Sequence, residues 1–239
     1  MATRSPSPYE AGPYAERREA LATYFDSTAR QAWIDLTSNA KVSGIRATVR
    51  AGRDEMRATL LDWLPADLRR TKVLDAGCGT GALAISAACR GAEVTGIDVA
   101  GGLVEVAKER TPSFIGHGRI DWMAGDMLDP SLGTFSHTVA MDSLIHYAPE
   151  DLVDAVGELG ERTTRSILFT FAPLTRLLGA MHTVGKVFPK NNRSPAIVPV
   201  SETELRARLG QLADWKIGRT RRVSSGFYTS QALELVRRG

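Results

Sequence analysis

The sequence predicts an α/β fold built on a seven-stranded, mostly parallel sheet, and three observations carry that prediction. From residue 71 onward, short apolar runs alternate with helical patterns, the arrangement of a doubly wound parallel sheet. Lys72-Val-Leu-Asp-Ala-Gly-Cys-Gly-Thr-Gly81 reads as a buried strand that turns through alternate glycines into a helix. Such a turn lets backbone N–H groups approach a ligand closely. Glu93-Val-Thr-Gly-Ile-Asp98 reads as a second strand ending in an acid, and ligands of open sheets sit outside the carboxyl ends of the strands.

Ahead of the sheet, residues 1–65 read as a helical N-terminal cap. Residues 1–8 are polar and rich in Pro and Ser, so no structure is predicted there. Helical segments follow at 15–24 and 31–36, the latter with Trp33. Val42, Ile45, Val49, Met56, Leu60 and Trp63 recur at helical spacing, interrupted at Gly52, and Leu64-Pro65 ends the run.

Residues 66–239 form the core. The glycine turn leads into a helix at 82–89, and a helix at about 102–110 follows the second strand. A third strand at 120–124 runs into Gly125-Asp126. A fourth, at 137–142, leads to Ser143-Leu-Ile-His-Tyr147, which this order places at the mouth of the ligand crevice. A helix at 150–159 and a fifth strand at 166–171 continue the series. Residues 173–199 then interrupt it as an insertion carrying Arg176, Lys186, Lys190 and Arg193, no acid, and a helical apolar stripe. A helix at 203–212 and an antiparallel strand pair, 215–223 and 226–236, close the chain.

Composition sets bounds. With 239 residues and 43% hydrophobic content the chain supports a full core. A net charge of +3 is far below the concentrated charge of a dedicated nucleic-acid binder. The two cysteines, Cys78 and Cys89, have no partner at metal-ligand spacing, so a reduced, cytoplasmic protein without disulfides is expected. No targeting segment or membrane span is read from the sequence.

The spacing D-x-G-x-G-x-G differs from the G-x-G-x-x-G of dinucleotide binders. Asp75, Gly77, Gly79, Gly81 and Asp98, in strand–turn–helix–strand order, resemble the cofactor site of class I, Rossmann-like methyltransferases. The resemblance implies S-adenosylmethionine (SAM) as cosubstrate, with Asp98 accepting the ribose hydroxyls and Asp126 or Met127 at the adenine.

The acceptor must be read from other segments. The Asn/Asp-Pro-Pro-aromatic turn that holds a planar nitrogen in nucleobase and amide methyltransferases has no counterpart in Met141-Asp-Ser-Leu-Ile-His-Tyr147. Tyr24-Phe-Asp-Ser-Thr-Ala29 with Trp33, the run Met141-Asp142 with Leu144-Ile-His-Tyr147, and Phe171-Ala-Pro-Leu-Thr175 leading to Phe188-Pro189 together resemble magnesium-protoporphyrin IX O-methyltransferases of chlorophyll and bacteriochlorophyll synthesis. The resemblance runs from about Tyr24 to the C-terminus. Asp26 and Ser27 depart from it, where an Asn followed by a small residue is expected.

The resemblance implies methylation of one propionate of the magnesium porphyrin, with Tyr24 and His146 positioning that carboxylate, His146 as a hydrogen-bond donor or as an axial ligand to the magnesium. A propionate ionises near pH ~4.3, so it is already the nucleophile at neutral pH, and no strong base or paired carboxylate is needed. Magnesium arrives as part of the substrate, so no protein metal site is predicted. The porphyrin-binding subunit of magnesium chelatase and peripheral contact with the photosynthetic membrane are the implied partners, and nucleic acid is not one. Among the other histidines, His137 reads as structural, His117 as solvated, and His182 as within reach of substrate. Two competing readings are another small-molecule methyltransferase and a non-catalytic SAM-binding partner protein.

Overall fold

The computed structural model describes residues 12–28, 30–37, 44–174 and 196–239. Its strands are β1 (Lys72–Ala76), β2 (Glu93–Asp98), β3 (Arg119–Ala124), β4 (Phe135–Ala140), β5 (Thr163–Phe171), β6 (Trp215–Ser225) and β7 (Tyr228–Arg237). They form one sheet in the order β3-β2-β1-β4-β5-β7-β6, parallel except for β7, which runs antiparallel to both β5 and β6. Chain direction across the sheet reverses between β1 and β4, so a crevice opens above the carboxyl ends of those two strands.

Helices cover both faces. They are α1 (Pro13–Thr23), α2 (Arg30–Leu36), α3 (Gly44–Trp63), α4 (Ala82–Cys89), α5 (Gly101–Arg110), α6 (Pro149–Glu161) and α7 (Glu202–Leu209). Alternation along the strands sorts side chains between two cores. Leu74, Ala140, Ile167 and Phe169 join one cluster with Leu152, Leu159 and Leu205. Val73, Val139 and Leu168 join the other with Met56, Leu60 and Ala84. Fully burying each Leu or Phe stabilises by about 1.5–3 kcal/mol, which is why the apolar stretches Val73-Leu74 and Ile167-Leu168-Phe169 sit at the centre of β1 and β5.

Several boundaries move from their sequence expectations, and three of the differences have a direct physical reason. Gly52 does not interrupt α3; a Cβ there would stand 2.5 Å from the Tyr228 ring, so the glycine is where β7 reaches the helix. β4 stops at Ala140 rather than at residue 142, because Asp142 takes φ +55°, outside the strand region. α7 begins at Glu202, with the Ser201 side chain accepting from the Glu204 N–H.

The N-terminal section is tied down by arginines. Arg50 Nη2 and Nε donate to the carbonyls of Asp35 and Leu36, and Arg110 donates to those of Ile34 and Thr37. Both guanidinium groups meet the negative end of α2.

His137 lies in β4, buried at 5% exposure. Its Nδ1 is 2.7 Å from the Ser166 hydroxyl, and its Nε2 has no hydrogen-bond partner among the described residues. Burial first, and Arg165 second, lower its pKa from 6.5 to about 4, while Glu234 pulls the other way. The unfolded chain therefore takes up this proton first. Stability linked to His137 is complete above pH ~6.5 and is lost as pH falls toward 4. Urea unfolding midpoints should decline over that window in the native chain and decline less in His137→Gln; equal slopes would remove His137 from the account.

Candidate active site

The glycine turn after β1 is held by its surroundings. Gly77 and Cys78 donate to the Ile97 carbonyl at 2.8 and 3.0 Å, fastening the turn to β2. Gly77 has φ +83°, and a Cβ there would lie 2.3 Å from that of Ser143. Gly81, also at φ +83°, would collide with Trp122 at 2.4 Å. Both positions therefore require glycine on two counts.

Asp75, at 2% exposure, accepts from the Ala84 N–H at 3.0 Å and so braces the first turn of α4 from below. Burial raises its pKa to about 7 against the pull of that N–H. Asp98 stands at the tip of β2. Its Oδ2 accepts from the Gly79 N–H at 2.8 Å and its Oδ1 from the Ala100 N–H at 2.9 Å. Burial raises its pKa as well, opposed by those two donors. Each carboxylate oxygen has a further lone pair, the arrangement needed to accept two vicinal hydroxyls.

Above the turn lies a cavity of about 250 Å³, walled by Asp75, Gly77, Gly79 and Asp98 on one side and by Met127, Asp142, His146 and Tyr147 on others. The N-terminal section closes it with Tyr14, Phe25 and Trp33, and α3 contributes Arg50, Arg53 and Arg57. Among the described residues, no group of three or more His, Cys, Asp or Glu side chains is placed to hold a metal ion.

The structure brings Met127 to the wall but turns Asp126 away from it. Asp126 accepts from the Tyr14 hydroxyl at 2.8 Å, from Arg18 Nη1 at 2.5 Å and from the Leu128 N–H at 2.9 Å. Its carboxylate latches α1 to the end of β3. Tyr14 stacks on Tyr147 at 5.3 Å, and burial, with Tyr147 and Asp126 nearby, drives the Tyr14 hydroxyl well above its ordinary pKa.

Tyr24 lies outside the cavity wall. It opens a π-helical turn, Tyr24–Thr28, and borders a shallow surface hollow with Glu16, Glu19, Ala20 and Thr23. Phe25 lines the cavity instead, edge-on to Trp33 at 5.5 Å and 6.1 Å from the His146 ring. Neighbouring helical residues point about 100° apart, so only one of the two faces the cavity. Asp26, where the sequence departs from the family it resembles, accepts from the Gly102 N–H at 2.7 Å, bonding the start of α5.

His146 lies where the sequence places it. It ends the short 3-10 turn Leu144–His146 after β4, is 6% exposed, and lines the cavity. Its Nδ1 is 3.4 Å from the Ala196 carbonyl and its own carbonyl accepts from Arg17 Nη1 at 2.7 Å. A carbonyl can only accept, so this contact is made by an Nδ1–H. His117 is exposed. His182 and the basic, apolar-striped part of the 173–199 insertion lie outside the described residues. The insertion's described ends pack by His146, with the Val198 N–H donating to the Ile145 carbonyl at 2.8 Å and Pro173 bridged to Val200.

Two residues on the wall, Asp142 and Arg53, were given no role from the sequence. Asp142 accepts from Arg53 Nη1 at 2.6 Å, the Tyr228 hydroxyl at 3.1 Å, Ser230 at 3.2 Å and Thr170 at 3.1 Å. Arg53, so anchored, stacks over Trp33 at 4.5 Å. A signal existed: Arg46, Arg50, Arg53 and Arg57 are spaced four, three and four apart, one face of a helix.

Comparison with known proteins identifies the family. Residues 140–237 match the family model described as magnesium-protoporphyrin IX methyltransferase C-terminus, and residues 73–164 match a methyltransferase domain. The chain is 45% identical, over 92% of its length and 97% of the relative's, to a magnesium-protoporphyrin O-methyltransferase of Rhodobacter capsulatus. It is 30% identical over 90% of its length, and 94% of the relative's, to one from Synechocystis. A crystal structure of magnesium protoporphyrin IX methyltransferase from Synechocystis with bound SAH superposes with a TM-score of 0.82 at 28% identity, covering 92% of this chain and 100% of that one.

Proposed function

The chain belongs to the magnesium-protoporphyrin O-methyltransferase family, and from that premise we propose how its side chains divide the work of the reaction. The enzyme transfers the methyl group of SAM to a propionate carboxylate of magnesium protoporphyrin IX, giving the monomethyl ester, in chlorophyll or bacteriochlorophyll synthesis. The observation that carries the division of roles is that Asp98 and His146, from opposite sides of the β1/β4 switch point, line one cavity.

The residues present fit SAM. The backbone of Gly77 and Gly79 lines the cavity, in a turn that only a glycine at 77 can make beside Ser143, and Asp98 is fixed by two N–H groups with lone pairs to spare. SAM supplies an electrophilic methyl group on a positively charged sulfur. Asp98 holds the ribose, Met127 packs on the adenine, and Asp75 keeps the glycine turn and α4 in register. On the acceptor side, His146 would position the substrate as a donor to the propionate or as a ligand to its magnesium, with Nδ1 steadied by the Ala196 carbonyl. That second bond is the usual way a metal-bound imidazole is oriented. With the ring fixed, the ionised propionate needs only in-line approach and exclusion of water, and the chain's residues need not remove a proton. Incubation with SAM and magnesium protoporphyrin, followed by mass analysis, should show one added methyl group on the porphyrin. SAM consumption without a porphyrin ester would point to another small-molecule acceptor, and SAM binding without turnover to a non-catalytic module.

The N-terminal section is the lid of this site. It meets the core through Tyr14 and Arg18 on Asp126, Asp26 on Gly102, and Trp33 on Arg53. A π turn holds one residue more than an α turn, and its relaxation rotates the segment so that Tyr24 replaces Phe25 at the wall, where its hydroxyl donates to the propionate. Proteolysis in the 23–30 segment should be slowed by SAM or its demethylated product; equal cleavage with and without ligand would remove the lid from the mechanism. The proposal extends to handover of porphyrin by the chelatase's porphyrin-binding subunit and to a cytoplasmic location beside the photosynthetic membrane, both supported by family membership. Among the described residues no helix is long and apolar enough to cross a membrane.

A further inference from the structure

The cavity is small for what the reaction brings to it. About 250 Å³ lies below the roughly 300–1,000 Å³ that encloses a single drug-sized ligand, yet a nucleoside and a tetrapyrrole must meet here. The macrocycle therefore stays at the mouth while one side arm enters, and the surface of the mouth decides how the ring is recognised.

One element rises beside that mouth. β7 pairs with β6 from Tyr228 onward but with β5 only from Gln231 to Val236. Residues 228–230 thus pass the carboxyl end of β5 by three positions, roughly 10 Å at about 3.4 Å per residue. At the tip of this hairpin Phe227 is 61% exposed. Beside it, a Cβ on Gly226 would stand 2.1 Å from Thr48 Oγ1, so the tip is pressed against α3. Ile45, three residues before Thr48 and on the same helix face, is 59% exposed. Tyr228, next in sequence, donates to Asp142 of the cavity wall, and Arg50 and Arg53 of α3 line the cavity itself. The tip is therefore braced from both sides and continuous with the wall.

The remaining exposed apolar side chains support the same location. Leu174 and Ile197 flank His146 on the other side of the mouth, through the bonds that tie Leu174 to Val200 and Val198 to Ile145. Among the described residues only Phe114 and Met123, in the α5–β3 connection and on edge strand β3, are large exposed apolar groups elsewhere.

We propose that Phe227 and Ile45 form the shelf on which the apolar face of the tetrapyrrole rests, with its carboxylate arms turned toward the arginines of α3. This rests on the methyl-transfer reading above. An aromatic side chain on a braced tip matches a flat conjugated ring, since offset stacking adds to the burial of apolar area. Cations to one side of it match the ring's carboxylates. The tip touches neither the expected SAM contacts nor the reacting atoms, so its effect falls on porphyrin binding.

The test is an optical titration of the full chain with magnesium protoporphyrin, read from the Soret band, beside calorimetry with SAM. Phe227→Ser should raise the porphyrin Kd about tenfold, equal to about 1.4 kcal/mol, and Ile45→Ser/Phe227→Ser should raise it further. SAM affinity should stay within twofold, and Phe227→Trp should restore porphyrin binding. Unchanged porphyrin Kd in Phe227→Ser and in the double variant overturns the shelf. If those variants instead lose retention on phosphatidylglycerol vesicles, the tip is a membrane contact and the proposal also fails. Should the double variant lose SAM affinity through misfolding, Phe227→Trp against Phe227→Ser decides alone. Failure of the methyl-transfer reading is distinct, because the unmodified chain would then form no porphyrin ester.

Discussion

Asp98→Ala should weaken SAM binding about 10- to 100-fold, roughly 1.4–2.8 kcal/mol. Two losses combine in that figure. The ribose loses a charged acceptor for its hydroxyls, and Gly79 and Ala100 lose the carboxylate that fixes their N–H groups. Burial already makes this charge costly to hold, as its raised pKa records, so the site keeps it only because donors converge on it. Asp98→Asn retains an acceptor and should lose less than the alanine variant. Calorimetry decides: unchanged SAM affinity in Asp98→Ala would end the ribose role. A loss accompanied by an equal fall in thermal stability would assign Asp98 to the loop alone.

The second large effect is on turnover. His146→Ala should lower kcat about 10- to 100-fold, consistent with roughly 1.4–2.8 kcal/mol at the transition state, while SAM affinity stays near that of the native chain. Metal preference separates the two roles open to this ring. If Nε2 ligates the substrate's magnesium, the native chain binds magnesium protoporphyrin more tightly than metal-free protoporphyrin, and His146→Ala erases that preference. Added imidazole should recover part of the lost rate by occupying the vacated position. A variant that loses kcat yet keeps the metal preference would make His146 a contact to the propionate instead. Tyr24→Phe, run beside it, asks whether the hydroxyl that lies outside the cavity wall takes part when the lid closes. Full retention of kcat in both variants, with the fold intact by circular dichroism, would falsify the pairing.

What the sequence made legible was whatever depends on local pattern. The strand–glycine–helix turn was readable because Gly77 and Gly81 meet conditions that no other residue satisfies, and Asp98 because strand ends lie at one edge of a parallel sheet. His146 was readable for the same reason. What stayed hidden depends on contacts distant in sequence. Asp126 is spoken for by Tyr14 and Arg18, more than a hundred residues away in the chain. The phase of the turn at Tyr24–Thr28, which hides Tyr24 and presents Phe25, rests on an extra residue that helical periodicity does not reveal. Arg53 gains its importance only from Asp142 and Trp33, which the fold brings to it. Gly52 looked like a break because Tyr228, its reason, arrives from the far end of the chain.

The central claim is that this site aligns a nucleophile that is already ionised and needs no base. Single-turnover rates at saturating SAM and magnesium protoporphyrin, measured from pH 7 to pH 9, test it most directly. A propionate with a pKa near ~4.3 is fully charged throughout that range, so the account predicts a flat profile, in the native chain and at a lower level in His146→Ala. A rate that climbs tenfold per pH unit and levels off at an apparent pKa inside the range would show that a protein group must lose a proton first, and would contradict it.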